Sequence, residues 1–177
     1  MATVGHVAIG LAAARLQSTA PARAWPGSGA WIFWTLLAVL PDADFFLILL
    51  GLTEYGAPWG HRGATHSLTF ALAVGTAIGL AAPAFRAAVV RTGIMAILVL
   101  ASHPLLDMLT DGGRGCAIFW PFDNTRYVAP WNPLPVAPLG LDLISAYGVY
   151  VIAFELVVFS PLLWFALRPG RAVKRSG

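Results

Sequence analysis

Apolar residues fall into five runs along the chain, at 4–16, 31–52, 65–82, 87–109 and 147–167. A helix needs about 20 residues to cross a hydrocarbon core of ~30 Å. The last four runs approach that length, whereas the first is too short and reads as a half-helix entering from one side. The pattern predicts an all-α, polytopic membrane bundle. It has about four spanning helices, a short N-terminal half-helix and one domain over residues 1–177. Two runs carry polar interruptions. "LPDAD" breaks the second at Pro41, Asp42 and Asp44, and the fourth holds His103 and Asp107 near its end. The stretch 110–146 between the last two runs is rich in Gly, Pro and Trp. Its "FWPF" and "APWNPLP" suit a membrane–water boundary and predict an ordered outer loop.

Composition sharpens this reading. With 58% hydrophobic and 11% charged residues, the chain is unlike a soluble domain, where about a quarter of residues are charged. The net charge of +3 does not call for nucleic acid, because basic residues in membrane proteins concentrate in cytoplasmic loops. Arg15, Arg23, Arg86, Arg91, Arg168, Arg171, Lys174 and Arg175 fall on one side if the runs alternate across the bilayer. Only Arg62, Arg114 and Arg126 fall on the other. This predicts a multi-pass inner-membrane protein with a cytoplasmic C-terminus, and with the loops at His61 and 110–146 facing outward. No basic region precedes the first apolar run, so no cleavable signal peptide is expected. The single cysteine, Cys116, excludes an internal disulfide framework.

The candidate chemistry lies where the bilayer should discourage it. All four histidines, His6, His61, His66 and His103, sit in or beside apolar runs, as do Asp42, Asp44 and Asp107. Each ionisable group at membrane depth costs on the order of 2.5–3.5 kcal/mol and usually faces a protein interior or cavity. Seven metal-ligand residue types in that setting point to a shared cation. Helical rise brings His6, Asp42 and His103 ~14–18 Å in from the basic side, so they converge at similar depth. His103 and Asp107 are spaced i,i+4 and share a helix face. Asp42 and Asp44 are spaced i,i+2, but Pro41 makes a local break that can bring both into use. Either both bind metal, or one binds and the other orients a histidine. Pro104 is expected to kink or loosen the fourth helix. Gly63 allows a tight turn between His61 and His66, and Thr65 is a candidate N-cap for the helix that follows. Mixed His and Asp ligands favour zinc, with manganese and iron also compatible. Seven ligands suit two ions with open positions.

"LPDAD", "HRGATHS" and "HPLLDMLTDGG" with a following "WPF" resemble the YdjM-like inner-membrane proteins, a family with a LexA-regulated member. "VGHVAIG" also fits, although Gly5 stands where the family commonly has Thr. The resemblance covers roughly residues 1–125 and implies a membrane-bound metal-dependent hydrolase of unspecified substrate. In that reading metal-activated water attacks a lipidic or phosphoester substrate, Asp42 or Asp44 acts as general base, and Arg62 holds an anionic group. Membrane lipids are the expected partners, and a homodimer is compatible. Ser67 reads as a cap or packing residue rather than a nucleophile. Glu155 is either a second partner of the same cavity or paired with a polar loop residue. Asp111 reads as part of the turn ending the fourth helix, Asp123 and Asp142 as solvated acids, and Trp120 and Trp131 as interface anchors. Two rival classes remain: an ion or proton transporter, and a non-catalytic protein whose metal staples its helices. Five segments with no internal repeat give transport little support.

Overall fold

A computed structural model describes residues 3–18, 28–85, 87–138 and 140–168. Of the basic residues used for orientation, Arg23, Arg86, Arg171, Lys174 and Arg175 lie outside these. The described chain is helical: α1 (Thr3–Ser18), α2 (Ser28–Val39), α3 (Asp44–Leu49), α4 (Leu68–Ala81), α5 (Val89–Met108), α6 (Ala146–Val158) and α7 (Ser160–Leu167). Short 3₁₀ turns at Leu40–Ala43 and Ala64–His66 carry two of the polar motifs.

Among the described residues, two helical stretches are long and apolar enough to cross a membrane, Gly29–Leu49 and Val89–Met108. A third is counted if α6 and α7, bent by 65° at their junction, form one broken span. The fifth apolar run is therefore two helices rather than one. Pro161 lies in the first turn of α7, where its missing N–H costs little and a new helix can start. The third run is shorter than its apolar pattern suggests. Its apolar helical stretch is Leu68–Ala84, below spanning length, because His66 and its neighbours form a turn before α4 begins. Pro104 does not break α5, which continues through it to Met108.

The core is small and close-packed. Trp34, Leu37, Ala38, Ala96, Val99 and Leu100 join Ala13 and Ala14 in one buried cluster. Helices meet through small residues, as expected where no hydrophobic effect drives association inside lipid. A Cβ at Gly10 in α1 would lie 2.6 Å from the Thr35 Cα of α2, so these two backbones touch. Gly79 of α4 meets Gly93 of α5 in the same way. Helix α1 is also held at both ends. Glu155 of α6 accepts from the backbone N–H of Val4 at 2.6 Å and of Gly5 at 3.3 Å. Arg91 of α5 donates to the Leu16 carbonyl at 2.6 Å. Negative charge at its start and positive charge at its end both complement the helix dipole. This is the role the structure gives Glu155.

Residues 110–138 and 140–146 form an ordered cap. Thr110 pairs with Leu134 and Cys116 with Tyr127 in isolated β-bridges. Asp111 accepts from the Val136 N–H at 2.7 Å, tying the cap to the end of α5. Asp123 is half-buried, and the Tyr127 hydroxyl and the Thr125 N–H that donate to it lower its pKa. Trp131 is 72% exposed, and Trp120 packs edge-on against Trp59.

Candidate metal centre

Pro41 shapes the first part of the site. Its missing N–H ends the α2 ladder, and the chain continues as a 3₁₀ turn over Leu40–Ala43. In a 3₁₀ turn the Ala38 carbonyl faces position 41, and proline there has no N–H to offer it. It accepts from His103 Nδ1 at 2.7 Å. A proton on Nδ1 leaves Nε2 of His103 with its lone pair free, the arrangement found when a second partner orients a ligating histidine.

Nε2 of His103 lies 3.4 Å from Asp42 Oδ1. Nε2 of His66 lies 3.5 Å from the same oxygen and 3.7 Å from Asp107 Oδ2. His103 Nε2, His66 Nε2 and Asp42 Oδ1 are buried and have no hydrogen-bond partner. Unpaired buried polar atoms cost about 1–3 kcal/mol each, and here three face one another. Ligands ~2.0–2.1 Å from a tetrahedral zinc stand ~3.3 Å apart. The observed separations are slightly wider than that and too long for good hydrogen bonds. Asp42, His66, His103 and Asp107 thus form a group that could hold a divalent ion.

Asp44 meets the Nδ1 edge of the His66 ring. One of its oxygens lies 2.9 Å from His61 Nδ1. The other accepts from Thr65 Oγ1 at 2.7 Å and lies 3.2 Å from His66 Nδ1. Asp44, His61 and His66 also satisfy the spacing of a ligand group. However, Asp44 meets its neighbours at hydrogen-bonding distance and sets the ring of His66, as an orienting carboxylate does. Thr65 thus serves the site rather than capping α4. The cap is Ser67, which accepts from the Phe70 N–H at 3.0 Å.

His6 and Arg62 converge on Asp107. His6 Nε2 is 3.3 Å from one oxygen, and the His6 ring stacks on His103 with centroids 3.6 Å apart. Arg62 Nε is 3.2 Å from the other. The guanidinium also donates to the Gly112 carbonyl and to Thr110 Oγ1, and its residue is only 1% exposed. The nitrogens of Arg62 are engaged with the protein, and its backbone is held in the left-handed region at φ 63°. The adjacent Gly63 permits the tight turn, since a Cβ there would lie 2.3 Å from the Pro58 carbonyl. Arg126 of the cap donates to the carbonyls of Tyr55, Ala57 and His61 and fixes this turn from outside.

All seven expected ligands and Arg62 therefore lie in one cluster. Thr65, Thr110 and the Ala38 carbonyl join it without any mark in the sequence that singles them out. The cluster sits beside the ends of α4 and α5 remote from Arg91. Asp107 is ~27 Å of helix rise from Val89, near the far end of the stretch Val89–Met108. Asp42 is the one member of the seven not fully buried. Cys116 is a free buried thiol whose pKa burial pushes up to about 12, so it stays protonated and offers no thiolate.

An apolar helical bundle around a buried His/Asp cluster defines a class of inner-membrane proteins with a potential metal site. The family model described as YdjM inner membrane protein matches residues 1–173, and the chain belongs to that family. It is 39% identical over 142 residues to the inner membrane protein YbcI of Escherichia coli (strain K12), covering 75% of this chain and 82% of that protein. No solved structure matches the chain.

Proposed function

We propose that the protein is a multi-pass, membrane-embedded metal-dependent hydrolase acting on a lipidic or phosphoester substrate. The observation that carries this reading is the convergence of three unpaired buried atoms, Asp42 Oδ1, His66 Nε2 and His103 Nε2, beside Asp107. Zinc suits this donor set best. When bound, the ion supplies Lewis acidity and activates water near neutral pH. Asp42, His66, His103 and Asp107 hold it. Asp44, with His61 and Thr65, fixes the His66 ring. His6 and Arg62 fix Asp107. Asp42, the partly exposed member, is also the proton acceptor for a water entering the site. The uneven distribution of basic residues supports an outward-facing site and a cytoplasmic C-terminus.

Metal analysis of protein purified without chelator tests the reading. About one equivalent is expected, lost in His66→Ala and Asp107→Ala; about two would bring Asp44 and His61 into the ligand set. Turnover of a panel of lipid phosphoesters, abolished by chelator and restored by zinc, separates an enzyme from a stapled bundle. Metal-free wild-type protein would remove the reading altogether.

A further inference from the structure

The polar cluster meets the membrane through a groove. A hollow of about 500 Å³ is lined by Leu36, Leu40, Ala43 and Phe46, together with His6 and Asp42 of the cluster. Its volume is within the range of small-molecule sites, ~300–1,000 Å³. A second hollow of about 360 Å³ lies further along the same face of α1 and α2 and shares Leu36. Trp31 and Leu11 line its far part. From Trp31 to Asp42 the two together follow α2 for ~16 Å of rise, close to half of a ~30 Å hydrocarbon core and so to the depth of one leaflet. The face is apolar and outward: Ile32, Leu36 and Phe46 are 60–65% exposed. It belongs to the spanning stretch Gly29–Leu49, so lipid is what surrounds it. Asp42 lies near one end of this track, beside Ala43 and Phe46, and His61 to Ala64 are buried.

We propose that this track receives one acyl chain of a membrane lipid and brings the polar end of that lipid to Asp42. The substrate then enters sideways from the bilayer between α1 and α2. This rests on the hydrolase reading for its consequence, but the chain-binding site can be measured without turnover.

The protein is reconstituted in nanodiscs of phosphatidylethanolamine and phosphatidylglycerol, doped with a phospholipid carrying a diazirine in one acyl chain. After illumination, cross-links are mapped by mass spectrometry. Labelling at Leu36, Leu40 and Phe46 should exceed that at Leu72 and Leu80 several-fold, although all five are exposed apolar side chains. Leu36→Trp, which fills the junction of the two hollows, should bring groove labelling down to the level at Leu72 while metal content stays unchanged. Equal labelling of all five positions in the wild type overturns the proposal, as does undiminished groove labelling in a Leu36→Trp protein that retains its metal. Groove labelling without any phosphoester turnover leaves the binding site standing and removes the hydrolase. Uniform labelling with intact turnover of a short-chain, water-soluble phosphoester does the reverse.

Discussion

Pro41 and Pro161 each interrupt an apolar helical stretch, and their surroundings differ. After Pro41 the chain makes a 3₁₀ turn and resumes as α3 within a single 21-residue span. The carbonyl at Ala38 is taken by a histidine, and the turn carries Asp42 into the cluster. After Pro161 the helix turns by 65° and starts afresh, with the Ser160 hydroxyl bonded to the Val157 carbonyl at 2.7 Å. None of the seven clustered His and Asp residues comes from that junction. A break in a membrane helix therefore says nothing by itself about function. What matters is whether the backbone groups at the break and the neighbouring polar side chains are used by another element.

Substitutions at the two places sharpen or break this contrast. The largest effect is expected for His103→Ala, which removes both a ligand and the partner of Ala38. Metal affinity should fall by more than the roughly 10–100-fold typical of outer-layer changes, read by metal analysis after dialysis against a weak chelator. Asp44→Asn should fall inside that ~10–100-fold range, because it loosens the His66 ring and leaves the four ligands in place. A loss as complete as that of His103→Ala would make Asp44 a ligand. Pro41→Ala restores an N–H that can compete for the helix carbonyls, and should weaken metal binding by about tenfold, the low end of the same range. Pro161→Ala should leave metal content unchanged; matching losses in the two variants would erase the distinction drawn above. On stability rather than metal, Glu155→Ala, which uncaps α1, should cost about 1–2 kcal/mol, measured by denaturation in detergent.

The cluster was legible in the sequence because ionisable groups are expensive in hydrocarbon. Seven of them, including every histidine, had no cheaper explanation than a common site. The i,i+4 pair His103 and Asp107 needed only an intact α5. Asp42 and Asp44 were harder, because residues two apart lie about 160° from one another around an α-helix and about 120° around a 3₁₀ turn. The sequence marks the break at Pro41 but not the geometry that follows, so the separate jobs of the two carboxylates stayed open. Nothing in "HRG" tells a buried, left-handed arginine from one facing an anionic group. The partners of Arg62, Thr110 and the Gly112 carbonyl, lie about 50 residues away. The bend between α6 and α7 was missed for a related reason: apolar runs report burial in lipid and are nearly silent on helix direction.

Helix α1 carries His6, yet the groups that secure its two ends come from far along the chain. The Arg91 guanidinium is 75 residues from Leu16, and the Glu155 carboxylate is 151 residues from Val4. During synthesis α1 leaves the ribosome long before either anchor exists. Its final seating must wait for α6, so His6 is set in position only after the other cluster residues have been made. A chain stalled before residue 155 would contain every histidine and aspartate of the cluster and still lack the fastening that sets the first of them.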